Sequence, residues 1–180
     1  MSSTGSKVRL CDVGEKRLIE EFIRPLFNSA NRPEGVGDDC AMISSGNGDL
    51  WLFSTDRVPS DLTAFRLGIL DYEGMGRYLA CLNLSDIAAC GGSPVALLLN
   101  LGLPNDLLYT HFTSLCRAFG DTAARYGCEV LGGDMTWSSD ISISATSIAS
   151  ASRSRMALAY SARFSRWSVG RPGSGLTSAA

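Results

Sequence analysis

Lysine is almost missing from these 180 residues: Lys7 and Lys16 are the only two, so most of the 16 basic residues are arginines. Both lie near the amino terminus and no GxxxxGK[ST] occurs, which excludes a P-loop, whose lysine must reach the β- and γ-phosphates. The motif set of the protein kinases is absent as well. Histidine is reduced to His111, on an amphipathic stretch where it reads as a surface or core-edge residue and not as a catalyst. The six cysteines form no CxxC pair and show no zinc-like spacing, so they read as small, reduced core residues. The longest apolar run, Val95 to Leu99, is far too short to span a bilayer, and the Ser-rich, then charged beginning carries no apolar signal segment. The expectation is a soluble, cytoplasmic chain with no membrane partner.

What is present has the balance of a globular protein, 45% apolar and 19% charged. The length allows one domain with a real core, or one and a half, but not two full ones. A net charge of -2 argues against a polyanion-binding surface. The charge is uneven, however: residues 151–180 hold five arginines and no acid, which leaves 11 basic against 18 acidic groups in residues 1–150. The tail, Ser150 to Ala180, is rich in Ser, Arg, Ala and Gly without a sustained period, and it lacks the aromatic platform of a nucleic-acid arm. It is expected to be a poorly ordered basic terminus, and nucleic acid is not an expected partner. Residues 1–14 are polar and are expected to be a disordered amino terminus, so the folded domain is expected over 15–149.

Within that domain, Leu18, Ile19, Phe22, Ile23, Leu26 and Phe27 recur at helical spacing, with Pro25 expected to kink or shorten the helix. Asn28 to Gly37 reads as loop. Strands over the apolar part of Gly35–Ile43 and over Leu50–Ser54 flank the turn signal Ser45-Gly46-Asn47-Gly48 and are expected to pair as a hairpin. That pairing would bring the acidic stretch before the first strand close to Ser54-Thr55-Asp56. A helix over Tyr72–Cys90 stops at Gly91-Gly92 and Pro94, and Val95–Leu103 reads as a buried strand. A second helix, capped by Asn105 or Asp106, carries the face Leu108, Phe112, Leu115, Phe119, Ala123 and Tyr126 and ends at Gly127. Cys128–Leu131 should be a short strand leading into a Gly132-Gly133-Asp134 loop, and Ile141–Ala149 alternates as another. The fold class is α/β in the sense of an α+β sandwich, a mixed four- to five-stranded sheet with helices on one face.

The Tyr72–Cys90 helix holds an oddity. Asp86 sits among Leu79, Leu82, Leu84, Ile87 and Ala88, in a run apolar nearly all round, with Asn83 on the same face. An unpaired carboxylate buried there is costly, so a cationic partner is expected, a bound metal ion being one candidate, and the plain alternative is an N-cap or a satisfied core aspartate. Asp38-Asp39, Asp56 and Asp134 lie at element ends beside small residues. Each alone has a plain explanation as a turn former, cap or loop residue. Together they form a set of hard oxygen ligands without matching His or Cys, which suits Mg²⁺ completed by water and substrate phosphates. Glycines 35, 37, 132 and 133 would let backbone amides approach phosphate oxygens. The chemistry indicated is phosphoryl transfer.

GVGDDCA (Gly35–Ala41), STD (Ser54–Asp56), NLSDIAACGGSP (Asn83–Pro94) and LGGDMT (Leu131–Thr136) resemble, in order and spacing, the amino-terminal domain of the thiamine-monophosphate kinase family. Its superfamily also holds aminoimidazole ribonucleotide synthetase, selenophosphate synthetase and a hydrogenase maturation factor, and the resemblance covers about residues 15–149. It implies ATP- and Mg²⁺-dependent transfer of the γ-phosphate to thiamine monophosphate, giving thiamine diphosphate and ADP. It also implies metal ligation by Asp39, Ser54, Thr55, Asp56, Asp86 and Asp134, a nucleotide contact at Gly133 and Asp134, and a catalytic role for Asp86 and Asp134. A homodimer that joins two sheets into a barrel, with ATP near the junction, is a further implication.

The chain departs from the family pattern in three places. The loop after STD reads RVPSDLTAF, with Thr63 about where the family has a substrate-contacting histidine. Met135, Thr136 and Trp137 follow Gly-Gly-Asp in place of Thr-Thr-Arg. The family continues into a second domain, and the stretch from about Arg153 does not resemble its start. Two other readings stay open: a superfamily paralogue acting on another small substrate, and a non-catalytic metal- and nucleotide-binding half-enzyme.

Overall fold

Buried and half-buried residues alternate from Ser142 to Ser152, and this strand lies at the middle of the sheet. The computed structural model describes residues 8–27, 38–46, 48–59 and 61–168. In chain order they form α1 (Leu10–Val13), α2 (Glu15–Leu18), a π-helical turn (Ile19–Ile23), α3 (Arg24–Phe27), β1 (Ala41–Ser44), β2 (Asp49–Arg57), α4 (Thr63–Arg66), α5 (Tyr72–Ala89), β3 (Ser93–Leu103), α6 (Tyr109–Arg125), β4 (Glu129–Trp137), β5 (Ser142–Ser152) and α7 (Arg153–Ser168). The sheet order is β1-β2-β5-β3-β4. All neighbours are antiparallel except β3 and β4, which run parallel and are joined through α6. The architecture is the expected mixed α+β sandwich.

The period of two in β5 turns Ile143, Ala145, Ser147, Ala149 and Ala151 to one face, where they are buried. There α5 packs across β2, β3 and β5, and α6 packs on α5 and reaches β4. Leu79, Leu97, Leu115, Phe119 and Ile143 are fully buried in the larger core, each worth about 1.5–3 kcal/mol of burial. A smaller core gathers Cys40, Leu52, Ile87, Cys90, Ala149 and Met156 beside the second half of α5. Gly76 lets the two helices approach: a Cβ there would lie 2.2 Å from the Leu115 carbonyl oxygen.

Several elements differ from expectation. Helix α5 is not apolar all round: Arg77, Tyr78, Cys81, Ser85 and Ala88 are exposed, and Met75, Gly76, Leu79, Ala80, Asn83, Leu84 and Ile87 form its buried face. Asp86 lies at the edge of that face and is half-buried. The N-cap of α6 is Leu108, which gives no side-chain cap, and the expected caps Asn105 and Asp106 lie in the turn before it. Pro25 is accommodated without a break: the wider π turn precedes it, where the proline ring would otherwise crowd the carbonyl four residues back. Gly132-Gly133-Asp134 is not a loop but the middle of β4. Leu131 forms a bulge there, since Leu97 pairs with Val130 and Leu98 with Gly132.

At the ends, residues 10–13 make a helical turn where disorder was expected, tied by the Arg9 and Asp12 side chains. Strand β5 runs to Ser152, and the expected poorly ordered tail instead continues as α7. Its Ala, Arg, Met and Leu content favours helix, and buried Met156 and the bond from Arg155 Nη1 to Ser93 Oγ (2.9 Å) dock it. The expectations for residues 1–7, for the 28–37 loop with Gly35 and Gly37, and for 169–180 lie outside the described residues.

Candidate functional site

Strand β2 presents Leu52, Ser54 and Asp56 on one face by its period of two, and that face lies against α5. Helix α5 presents Asn83 and Asp86 one turn apart toward it, held in register from its start by Asp71, whose Oδ1 accepts from the Gly74 N–H (2.8 Å). Two hydrogen bonds bridge the elements. Ser54 Oγ donates to Asp86 Oδ2, and the Asp56 N–H donates to Asn83 Oδ1 at 3.3 Å. Asn83 Nδ2 in turn donates to the Leu79 carbonyl (3.0 Å).

The expected hairpin is present, with Ala41 opposite Phe53, and it brings the acidic stretch before β1 to this place. Cys40, just after Asp39, is buried and its Sγ donates to the Asp86 carbonyl oxygen at 3.5 Å. The Cys40 thiol is pushed well above the usual thiol range by its contact with Cys90, then by burial, with the charges of Asp86 and Asp39 adding to both. Asp39 and Asp86 therefore act on one spot.

Asp56 is half-buried, and its carboxyl is held above the ordinary carboxylate value, first by burial and then by the Asp86 charge. Among the described residues no lysine, arginine or histidine forms an ion pair with Asp56 or Asp86. The partner Asp86 has within the chain is a serine hydroxyl, 32 residues earlier.

The remaining expected residues stand apart. Thr55 faces the other side of β2, its hydroxyl donating to the Ala145 carbonyl at 3.0 Å. Asp134 is exposed on β4, the sheet edge. Cα partners run Asp56 to Ala145, Ala145 to Leu99 and Leu99 to Gly133. Three strand spacings of about 4.8 Å thus put the Gly133-Asp134 segment about 14 Å from Asp56. Asp134 is also registered with Asn100, whose neighbours Leu99 and Leu101 serve the core, so both belong to the opposite face, which no helix among the described residues covers.

Gly133 has φ +151°, and a Cβ there would lie 1.7 Å from the Leu99 carbonyl oxygen. His111 stacks on Tyr72 with ring centroids 4.3 Å apart, a packing role that agrees with the sequence. No helix among the described residues is long and apolar enough to cross a membrane.

The donors that converge are all oxygens: the carboxylates of Asp56 and Asp86, the Ser54 hydroxyl, and Asp39 nearby. Among the described residues no three or more His, Cys, Asp or Glu side chains are grouped closely enough to hold a metal ion by themselves. An unneutralised carboxylate pair with a hydroxyl suits a hard divalent cation that keeps water or phosphate in its other positions. Asn83 is the partner that sequence reading underrated. Its spacing from Asp86 was visible, but its bond to Asp56 depends on how α5 crosses β2.

Residues 37–151 match the family model of AIR synthase related protein, N-terminal domain. The thiamine-monophosphate kinase of Pyrococcus horikoshii is 30% identical over 142 residues, covering 77% of this chain and 42% of that protein. That of Mycobacterium tuberculosis strain H37Rv is 30% identical over 139 residues, covering 77% and 41%. The structure of AaThiL complexed with AMPPCP and TMP superposes with a TM-score of 0.70 at 27% identity, covering 82% of this chain and 45% of that one. The chain thus spans about two fifths of the length of these curated relatives.

Proposed function

The chain belongs to the AIR synthase related proteins through their N-terminal domain, and from that premise we propose that it serves ATP-dependent phosphoryl transfer of the thiamine-monophosphate kinase type. The observation that carries the reading is the Asp56–Asp86 pair with Ser54, clamped between β2 and α5 and, among the described residues, in an ion pair with no cationic side chain. Kinship with thiamine-monophosphate kinases, one of them solved with AMPPCP and TMP, supports the donor and acceptor classes.

In this reading Asp56, Asp86, Ser54 and Asp39 hold Mg²⁺. When bound, the ion supplies charge neutralisation at the transferring phosphoryl group. Ser54 fixes the Asp86 carboxylate by donating to Oδ2. Gly133 lets the β4 backbone approach closely, and with Asp134 it contacts nucleotide. A phosphate oxygen of thiamine monophosphate attacks the γ-phosphorus, the bond to the β,γ-bridging oxygen breaks, and ADP leaves. Thr55, its hydroxyl turned to Ala145 on the far side of the strand, is left out of the cation site.

The same reading pairs the chain with a second copy through the uncovered sheet face, where Ile43 and Trp51 stand opposite each other and exposed. It also places the chain in the cytoplasm, in keeping with the thiols of Cys11, Cys81, Cys116 and Cys128.

Calorimetric titration with AMPPCP, with and without Mg²⁺, tests the reading. Saturable Mg²⁺-dependent binding is expected in the wild-type chain, with loss of at least tenfold in Asp86→Asn. A folded chain that binds neither would end it. Diphosphate product from thiamine monophosphate then decides the acceptor.

A further inference from the structure

Asn83 is a fully buried amide in a place where packing alone would favour leucine. It is 0% exposed, on the face of α5 that otherwise buries Met75, Leu79, Leu84 and Ile87. A leucine has nearly its shape and carries no desolvation cost. What the amide adds is two bonds of opposite sense: Oδ1 accepts from the Asp56 N–H and Nδ2 donates to the Leu79 carbonyl. The reversed amide would set donor against donor at Asp56 and carbonyl against carbonyl at Leu79, so the two partners together fix its orientation.

The bond to Leu79 lies within the helix and ties nothing else. The bond to Asp56 crosses to β2, and it grips the main chain of the residue whose carboxylate faces Asp86. Three residues on, Asp86 is held by Ser54, two residues before Asp56. The two bridges form a rung pair, residues 54 and 56 of the strand against 86 and 83 of the helix. Such a pair leaves neither element free to slide or roll without breaking a buried bond.

We infer that Asn83 is a positioning residue for the cation site: it fixes the Asp56 main chain against α5 and so sets the separation at which the Asp56 and Asp86 carboxylates meet a divalent ion. The inference deepens the function proposed above and rests on it.

Three variants of the full chain test it, Asn83→Leu, Asn83→Asp and Leu79→Ala, each read by Mg²⁺ calorimetry, by melting temperature and by hydrogen exchange at the Asp56 amide. Asn83→Leu keeps the volume and removes the acceptor. It should weaken Mg²⁺ binding about tenfold and speed exchange at Asp56 by at least that factor relative to amides of β3. Asn83→Asp keeps an acceptor toward Asp56 but sets a carboxylate oxygen against the Leu79 carbonyl, so it should retain the amide protection at Asp56 and bind Mg²⁺ no more weakly than the wild-type chain while melting at a lower temperature. Leu79→Ala opens a cavity in the same helix without touching Asp56, and should lower the melting temperature yet leave the affinity within about twofold.

Wild-type affinity and protection in Asn83→Leu would overturn the inference. So would a loss in Leu79→Ala that matches its loss of stability, since a merely structural role predicts that parallel. If the wild-type chain itself binds no Mg²⁺, the cation reading falls and the inference about that site falls with it. The amide exchange would still report separately whether Asn83 holds Asp56.

Discussion

Asp56 and Asp86 confront each other across the β2–α5 contact, and that confrontation sets how the chain should respond to pH. The Asp56 carboxyl is held above its ordinary value by burial and then by Asp86, so the folded chain grips this proton more tightly than the unfolded chain does. Its stabilising contribution is therefore present below the ordinary aspartate range, near pH 3.9, and is lost as pH rises through the raised value. Asp56→Asn removes the repulsion permanently. The variant should melt at a higher temperature than the wild-type chain at pH 7, and the advantage should disappear toward pH 3.5. It should also bind Mg²⁺ more weakly, so stability and ligand binding move in opposite directions, as they do where a site stores unfavourable charge. Thermal melts followed by circular dichroism across this range decide the matter, and a lower melting temperature for Asp56→Asn at pH 7 would contradict it.

At the scale of elements, Gly133 carries the clearest demand. With φ at +151° and the Leu99 carbonyl 1.7 Å from a would-be Cβ, Gly133→Ala cannot be absorbed without parting β4 from β3. It should cost more than about 3 kcal/mol, beyond the usual overpacking range. Gly132→Ala, whose Cβ would first meet Leu98 Cδ2 at 4.0 Å, should cost about 1 kcal/mol or less. Urea denaturation of the two variants side by side measures the difference. The same element shows where sequence reading stops. Periodicity was enough for the alternation of β5 and for the middle of α6, where Leu115, Phe119 and Ala123 are buried as expected, but Leu108 and Tyr126, expected on the same face, are exposed at its two ends, where the helix runs past the core. The hairpin followed from Gly46 and Gly48, both at positive φ. Gly132-Gly133-Asp134 read as a loop because two glycines carry no side-chain pattern, and only the pairing with β3 makes a strand of them. Helix α7 was missed because its Ser and Arg content resembles a disordered tail, although Met156 marks the side that docks. Asp86 was singled out from its neighbours alone, but its partner Ser54 could not be, since nothing local links residues 32 apart.

For the whole molecule, the sheet divides the acidic residues between its two sides. Helices cover the side that holds Ser54, Asp56, Asn83 and Asp86, while Thr55, Asn100 and Asp134 belong to the uncovered side. Sequence motifs alone place Asp134 with the other acids, because order along the chain says nothing about which face of a strand a residue takes. With about 14 Å and two strands, β5 and β3, between them, Asp134 and Asp56 cannot share one first coordination sphere in this chain, where ligand oxygens lie about 2.1 Å from Mg²⁺. The two halves of the proposed site should therefore separate in experiment. Asp134→Asn should leave Mg²⁺ affinity within about twofold when no nucleotide is present, whereas Asp86→Asn should lower it at least tenfold. With AMPPCP added, Asp134→Asn should weaken nucleotide binding severalfold, because the phosphates of a nucleotide can span what a single ion cannot. Calorimetry of both variants, first with Mg²⁺ alone and then with the nucleotide analogue, distinguishes two linked subsites from one compact cluster. Equal loss of Mg²⁺ affinity in both variants would show that Asp134 reaches the same ion, which a single chain with this register does not permit. A second copy would then have to bring its own β4 edge to the Asp56–Asp86 side.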